Sequence, residues 1–241
     1  MDIMTNNLAN ASTVGYKKEG STSQSFDDVL TVKIKDQSVG MRNVQKIGIK
    51  NPGVKIGENY TDYSQGSFRI TGNTYDLALS GEGFFAIEFT NKAGETDTKY
   101  TRAGQFTLNK DGYLVTEEGD YVLDTQNRRI RLNTLIDSSI TDDGTIYQND
   151  QAVAKIQVTD FADYDYLEKY GETYYQPIQG AQTIASNAQV KSGYLEMANV
   201  QIVSEMVNLI SITRAYESNQ KVVQTIDDTL DVAVNQIGRV Q

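Results

Sequence analysis

Residues 199–238 read NVQIVSEMVNLISITRAYESNQKVVQTIDDTLDVAVNQIG. Ile202, Leu209, Tyr216, Val223, Leu230 and Ile237 fall at strict seven-residue steps, and Ile212, Ile226, Ala233 and Val240 follow four of them by three residues. This is the a/d repeat of a helical seam, sustained over about five heptads. No Gly or Pro interrupts it. Asn199 is the expected N-cap and Gly238 the expected C-cap, which predicts a helix roughly 55–60 Å long. A long amphipathic helix lying on a globular core is the alternative, but a strict seven-residue repeat fits a partner helix better. Two d positions, Glu205 and Asn219, are polar; in a coiled coil such residues cost stability and can fix register.

At the other end, Met1, Met4, Leu8 and Ala11 recur at spacings of three and four, the face of a short helix ended by Ser12 to Gly15. The middle changes period. Phe85, Ile87 and Phe89 alternate with Phe84, Ala86 and Glu88; Phe106 and Leu108, Ile130 and Leu132, and the run Val153 to Val158 also alternate. Turn residues separate these runs at Ser80 to Gly83, Lys110 to Gly112, Glu118-Gly119, Asp142 to Gly144 and Asn149-Asp150. The expected fold is α+β: a mainly antiparallel β central domain, barrel or sandwich, with long terminal α-helices packing like a coiled coil. The expected organisation is an amino-terminal helix over 1–16, a linker or extended arm over 17–50, a β-rich domain over 51–193 and the heptad helix over 194–241.

Composition narrows the chemistry. The 241 residues carry 22 Lys+Arg against 32 Asp+Glu, a net charge of −10, and contain no His, Cys or Trp. The acidity disfavours a broad electrostatic grip on nucleic acid. The missing residue types remove imidazole bases, Ser-His-Asp and Cys-His nucleophiles, thiol redox chemistry, disulfides and zinc sites built on Cys or His. The amino terminus lacks the basic and apolar regions of a secretory signal peptide, and no apolar run reaches the length of a membrane helix.

Four motifs compete with a structural role. Gly81-Glu82-Gly83 followed by Ala86 matches a loose dinucleotide fingerprint, but Phe84 to Phe89 is strand-like where the motif needs a helix. Thr107, Asn109, Asp111, Gly112 and Glu118 match positions 1, 3, 5, 6 and 12 of an EF-hand loop, with Thr in place of the first Asp and strand-like flanks. The acid pairs Asp27-Asp28, Asp142-Asp143 and Glu117-Glu118 would serve glycoside hydrolysis only across a cleft. Tyr164, Tyr166, Tyr170, Tyr174 and Tyr175 would form a stacking surface, but the acids among them repel phosphates and favour packing or interface roles. A calcium-dependent β-rich binding module and, behind it, a carboxylate hydrolase stand as the alternative functions.

Three separated blocks carry a resemblance. Asp2 to Lys17, with Asn6-Asn7-Leu8-Ala9-Asn10, then Thr13 and Gly15-Tyr16, resembles the amino-terminal signature of bacterial flagellar rod and hook proteins. Gly193-Tyr194-Leu195-Glu196, Asn199-Val200, Glu205 to Ile210 and Arg214-Ala215-Tyr216-Glu217 resemble that family's carboxyl-terminal helix. Asp76 to Phe85 and Tyr100 to Phe106 resemble its rod-type members, the distal-rod branch first and the proximal-rod branch next.

The resemblance implies a non-enzymatic subunit of the flagellar basal body, exported unfolded by the flagellar type III apparatus and assembled helically into the torque-carrying shaft. It also implies an upstream segment that builds the first half of the amino-terminal helix. Implied partners are copies of the chain, other rod and hook subunits, the export apparatus and envelope ring proteins; no cofactor, metal or nucleic acid is implied. The expected assembly seam is Met4, Leu8, Ile202, Leu209, Ile212, Tyr216, Val223, Ile226, Leu230 and Ile237.

Overall fold

Turn residues cut the apolar runs into strands of two to eight residues, too short and uneven to close a ring, which needs matched strands at a common tilt. A computed structural model describes residues 1–34, 44–91 and 94–237. The chain divides into two compact units, residues 1–18 with 63–241 and residues 19–62. It opens with helix α1 (Asp2–Ala9).

The smaller unit comprises strands β1 (Glu19–Ser25), β2 (Val29–Ile34), β3 (Val44–Lys50) and β4 (Val54–Thr61), with β1 antiparallel to β4 and β2 to β3. It occupies most of the arm expected over 17–50, and residues 35–43 of that arm lie outside the described residues.

The larger unit continues with β5 (Phe68–Ile70), β6 (Leu77–Ser80), β7 (Phe84–Thr90), β8 (Thr96–Thr101), β9 (Phe106–Leu108), β10 (Leu114–Thr116) and β11 (Tyr121–Val122). After these come β12 (Ser138–Ile140), β13 (Thr145–Gln148), β14 (Gln151–Lys155) and β15 (Val158–Phe161). A 3-10 turn (Tyr164–Tyr166) leads into β16 (Leu167–Tyr170), β17 (Tyr174–Pro177), β18 (Thr183–Ala185), β19 (Gln189–Ser192) and β20 (Tyr194–Glu196). Helix α2 (Ile202–Val232) follows and ends in a π-helical turn, Ala233–Ile237.

Of the two forms expected from strand spacing, the closed barrel does not form. The main sheet is open and antiparallel, in the order β16-β17-β8-β7-β11-β10-β9, with β15 on β7 and β18 on β15. It forks at β7. One edge of β7 pairs with β8, and the other is shared between β11 at Ile87–Glu88 and β15 at Phe84–Phe85. Both faces of β7 are covered. Phe85 joins Leu77, Leu79, Phe106, Leu114 and Ile146 in one core, while Phe84 and Ala86 join Tyr100, Phe161 and Tyr175 in a second. The period of two in β7 therefore sorts side chains between two apolar layers rather than between core and water.

Long helices at both ends were also expected, and the amino-terminal one is short: α1 has eight residues against 31 in α2. At 1.5 Å per residue that is about 12 Å against about 46 Å. The helix expected over 199–238 begins at a Gln201 cap with no side-chain hydrogen bond, not at Asn199. Asn199 is drawn into other contacts described below. The expected cap Gly238 and heptad residue Val240 lie outside the described residues.

Candidate assembly site

The segment after α1 and the root of α2 meet in a buried charge cluster. Gly15 turns the chain at φ 70°, and its N–H donates to Glu196 O at 2.8 Å. A Cβ here would strike the Ala103 backbone, so this approach requires glycine. Tyr16 is fully buried and donates its hydroxyl to Asn7 Oδ1 at 3.1 Å. Val14 bridges Met197, and β20 pairs with β5, which brings Glu196 into the interior.

Glu196 then collects three donors. Lys17 Nζ lies 2.7 Å from Oε1, the Gly66 amide 3.0 Å from the same oxygen, and Arg102 Nη1 3.3 Å from Oε2. Lys17 Nζ also donates to Ser64 O at 2.7 Å, and Arg102 Nη2 to Gly81 O at 2.7 Å. All three charged side chains are at most 4 % exposed. Charges taken that far from water are tolerated only with such pairing and hydrogen bonding.

A second tier fixes the helix itself. The Lys18 N–H donates to Asn199 Oδ1 at 2.7 Å, and Asn199 Nδ2 donates to Ser64 O and Oγ at 3.1 and 3.0 Å. Asn199 thus ties two other segments to the helix root, which is why it does not cap. Lys18 Nζ lies 2.5 Å from Glu205 Oε1, and Glu205 is buried. The polar d residue that the heptad reading gave to a partner helix anchors α2 to its own body instead.

Beyond this root, α2 presents its apolar side chains to solvent. Ile202, Ile212, Tyr216, Val223, Ile226 and Leu230 are exposed, Tyr216 by 66 % and Leu230 by 57 %, and Leu209 is half-buried. Met4 and Leu8 on α1 are half-buried, and α1 packs against α2. Ile237 closes the π-helical turn; its side chain lies outside the described residues. Arg214, Lys221 and Asp228 occupy f positions, with Glu217 and Asp231 at b positions. Outside the a/d row charge and apolar side chains are mixed, since Val203 and Ile210 at b positions and Val207 at f are exposed as well.

The competing motifs settle into turns. Asn109 Oδ1 accepts from the Asp111 and Tyr113 amides in the turn joining β9 to β10. Glu118 sits in the turn after β10. The two acids of the apparent calcium loop thus stand at opposite ends of a strand rather than around one point. Ser80 to Gly83 is the turn from β6 into β7, with Gly81 and Gly83 at φ 119° and 133°, and no helix follows.

Asp142 and Asp143 are exposed in the β12–β13 connection. Hydrogen bonds from Thr141 and Thr145 hold the Asp143 carboxyl well below the usual range. Tyr174 and Tyr175 are buried, and Tyr164 packs on the second core with its hydroxyl on Asp160 at 2.8 Å. Burial first, then Asp160, pushes the Tyr164 hydroxyl up; burial does the same for Tyr174, alongside Asp120. Tyr166 and Tyr170 are exposed. Among the described residues no helix is long and apolar enough to cross a membrane, and no three acidic side chains gather as a metal site.

The Lys17–Glu196–Arg102 cluster went unread in the sequence. The available signal was one charged residue among several in each of the three blocks quoted above, Lys17, Arg102 and Glu196.

Known proteins match the same blocks. Residues 191–237 match the model of the flagellar basal body rod FlgEFG protein C-terminal region, residues 78–148 that of the flagellar hook protein FlgE/F/G D1 domain, and residues 1–17 that of the flagella basal body rod protein. The flagellar basal-body rod protein FlgG of Bacillus subtilis is 34 % identical over 98 % of this chain and 92 % of its own length. The flagellar basal-body rod protein FlgF of Caulobacter vibrioides is 33 % identical over 100 % and 92 %. FlgG of the same Caulobacter is 33 % identical over 95 % and 90 %.

Proposed function

The chain belongs to the flagellar basal-body rod protein family, and on that premise we propose how it builds its part of the flagellum. It is a structural subunit of the basal body, and it assembles with other rod and hook subunits. In our reading, copies join helically through α2, whose a/d residues from Ile202 to Leu230 pair with helices of neighbouring subunits, while Met4 and Leu8 extend the seam at the other terminus. The shaft so formed transmits torque. We assign the subunit to the distal rod, with delivery by the type III export apparatus and contact with envelope rings as further parts of the same reading.

The observation that carries the proposal is the row of exposed apolar a/d side chains on α2. Burying a large apolar side chain contributes roughly 1.5–3 kcal/mol, so a neighbour that covers the stripe gains substantially at each position. Contacts of this heterologous, non-closing kind generate a helical filament.

Leu209→Asp or Ile226→Asp in the full-length gene tests the seam. A carboxylate there must stay ionised in a dry interface or take up a proton, and both are costly. Motility should be lost while the β domain stays folded, with thermal unfolding of the isolated middle unchanged, and Asp111→Asn should swim nearly as wild type. Seam variants that swim normally would sink the proposal.

A further inference from the structure

Hairpin β16–β17 closes one edge of the main sheet, and its first strand carries two adjacent residues with opposite duties. Lys169 pairs across the hairpin with Tyr175 and Tyr170 with Tyr174, and successive side chains leave a strand on opposite faces. On the face of the second core, to which Tyr175 belongs, Lys169 Nζ stands 4.2 Å from the centroid of the Tyr16 ring. On the other face, the Tyr170 ring lies over Lys99 of β8, its centroid 2.6 Å from Nζ, and Phe89 supplies a second ring at 4.0 Å. One residue thus gives a cation to a ring, and its neighbour gives a ring to a cation.

Lys99 is the unusual member of this set. It is 3 % exposed, while the Tyr170 ring over it is 45 % exposed. That ring is therefore the cover between its ammonium and water. Lys99 forms no ion pair among the described residues. A lysine shut away from water without an anion is costly, and two ring faces are what it receives in exchange. Hydrogen bonds hold the second half of the hairpin to the body: Thr101 Oγ1 donates to Thr173 O at 2.8 Å, and the Tyr174 hydroxyl donates to Asp120 Oδ2 at 2.9 Å.

Toward the amino-terminal segment the hairpin packs less fully. A cavity of about 200 Å³ is lined jointly by Thr13 and Val14 of that segment and by Thr173 and Tyr174 of the hairpin. Beside it, the fully buried Tyr16 receives Lys169. Tyr16 stands between Gly15 and Lys17, the two residues whose bonds to Glu196 seat the segment.

We propose that the β16–β17 hairpin is a strap across the docked amino-terminal segment, and that the clasp of Tyr170 on Lys99 at one face of β16 controls the grip of Lys169 on Tyr16 at the other. Neighbouring residues of one strand move together, so freeing one face loosens the other. The device lies within a single chain and needs no neighbour, so it stands or falls apart from the α2 seam.

Hydrogen exchange on the full-length chain, read relative to the amides of β7, tests it. Lys99→Met keeps most of the side chain and drops its charge; Tyr170→Leu removes the covering ring. Each should speed exchange of the β16–β17 amides about two- to thirtyfold. The double variant should go no further than the faster single variant, because both remove the same contact. The Gly15 amide, which bonds Glu196 O, should speed up in all three, and Lys169→Met should loosen it from the other face. Effects that multiply in the double variant, or slower exchange in Lys99→Met, would mean that burying the charge outweighs its ring contacts, and overturn the clasp. A loosened hairpin with Gly15 unmoved overturns the strap.

Discussion

Glu196→Gln removes one charge and little else. The amide keeps the volume of the carboxylate and can still accept from Gly66, but Lys17 and Arg102 are left facing one another with no anion between them. Breaking a buried pair by neutralising one partner costs about 3–5 kcal/mol. In a chain of this size each kcal/mol lowers the melting temperature by about 2–4 °C, so the variant should melt roughly 6–20 °C below wild type. Far-UV circular dichroism is the suitable probe, since the chain has 15 Tyr and no Trp. Arg128→Gln is the control: it opens the Arg128–Asp124 pair, whose arginine is 67 % exposed, and should cost under about 1 kcal/mol. The triple replacement Lys17→Met, Arg102→Leu, Glu196→Leu should recover much of the loss, because the uncompensated charges leave together. A Glu196→Gln melt indistinguishable from wild type would refute the claim that the cluster holds the helix root to the body.

Two other substitutions probe the larger unit. Gly104→Ala would drive its Cβ into the Leu77 carbonyl, where Leu77 N–H already bonds Gly104 O at 2.9 Å; urea unfolding should show a loss of about 1–3 kcal/mol. At Asp124, burial pushes the carboxyl up, but hydrogen bonds from Thr125, Arg128 and the Gln126 amide, with the Arg128 charge, outweigh it and hold the carboxyl below its ordinary value. A depressed carboxylate stabilises the fold above its ordinary range and loses that contribution as pH falls through its folded value. Asp124→Asn should therefore flatten the acid limb of melting temperature against pH below about pH 4, and an unchanged limb would contradict the assignment.

The carboxyl-terminal helix was legible because a helix of this length repeats one signal many times, and α2 spans Ile202–Val232. The alternation in Phe84 to Phe89 was legible too, but not what covers each side: the second apolar layer is assembled by Tyr100, Phe161 and Tyr175, each far along the chain. Closure of the sheet was unreadable because it depends on which edges meet, and β7 divides one edge between β11 and β15. The charge cluster was hidden for a related reason. Lys17 and Glu196 are 179 residues apart, Arg102 and Glu196 94 apart, and a lone charge carries no periodicity. Glu205 shows period misleading: it fits a d position, yet its partner is Lys18 of its own chain.

The span between Lys17 and Glu196 also sets the order in which the molecule can mature. The lysine is made early and waits for a glutamate that appears only after the whole β body has been synthesised. Bringing the two together closes a loop that contains nearly every strand, an entropic cost that must be met before the ion pair offsets any of it. Contacts of such separation slow folding. The segment around Lys17 is therefore late to dock, because the glutamate it pairs with is made only after the β body. Pulse-labelled hydrogen exchange should find the Gly15 amide, which bonds Glu196 O, protected after those of β7 and β8.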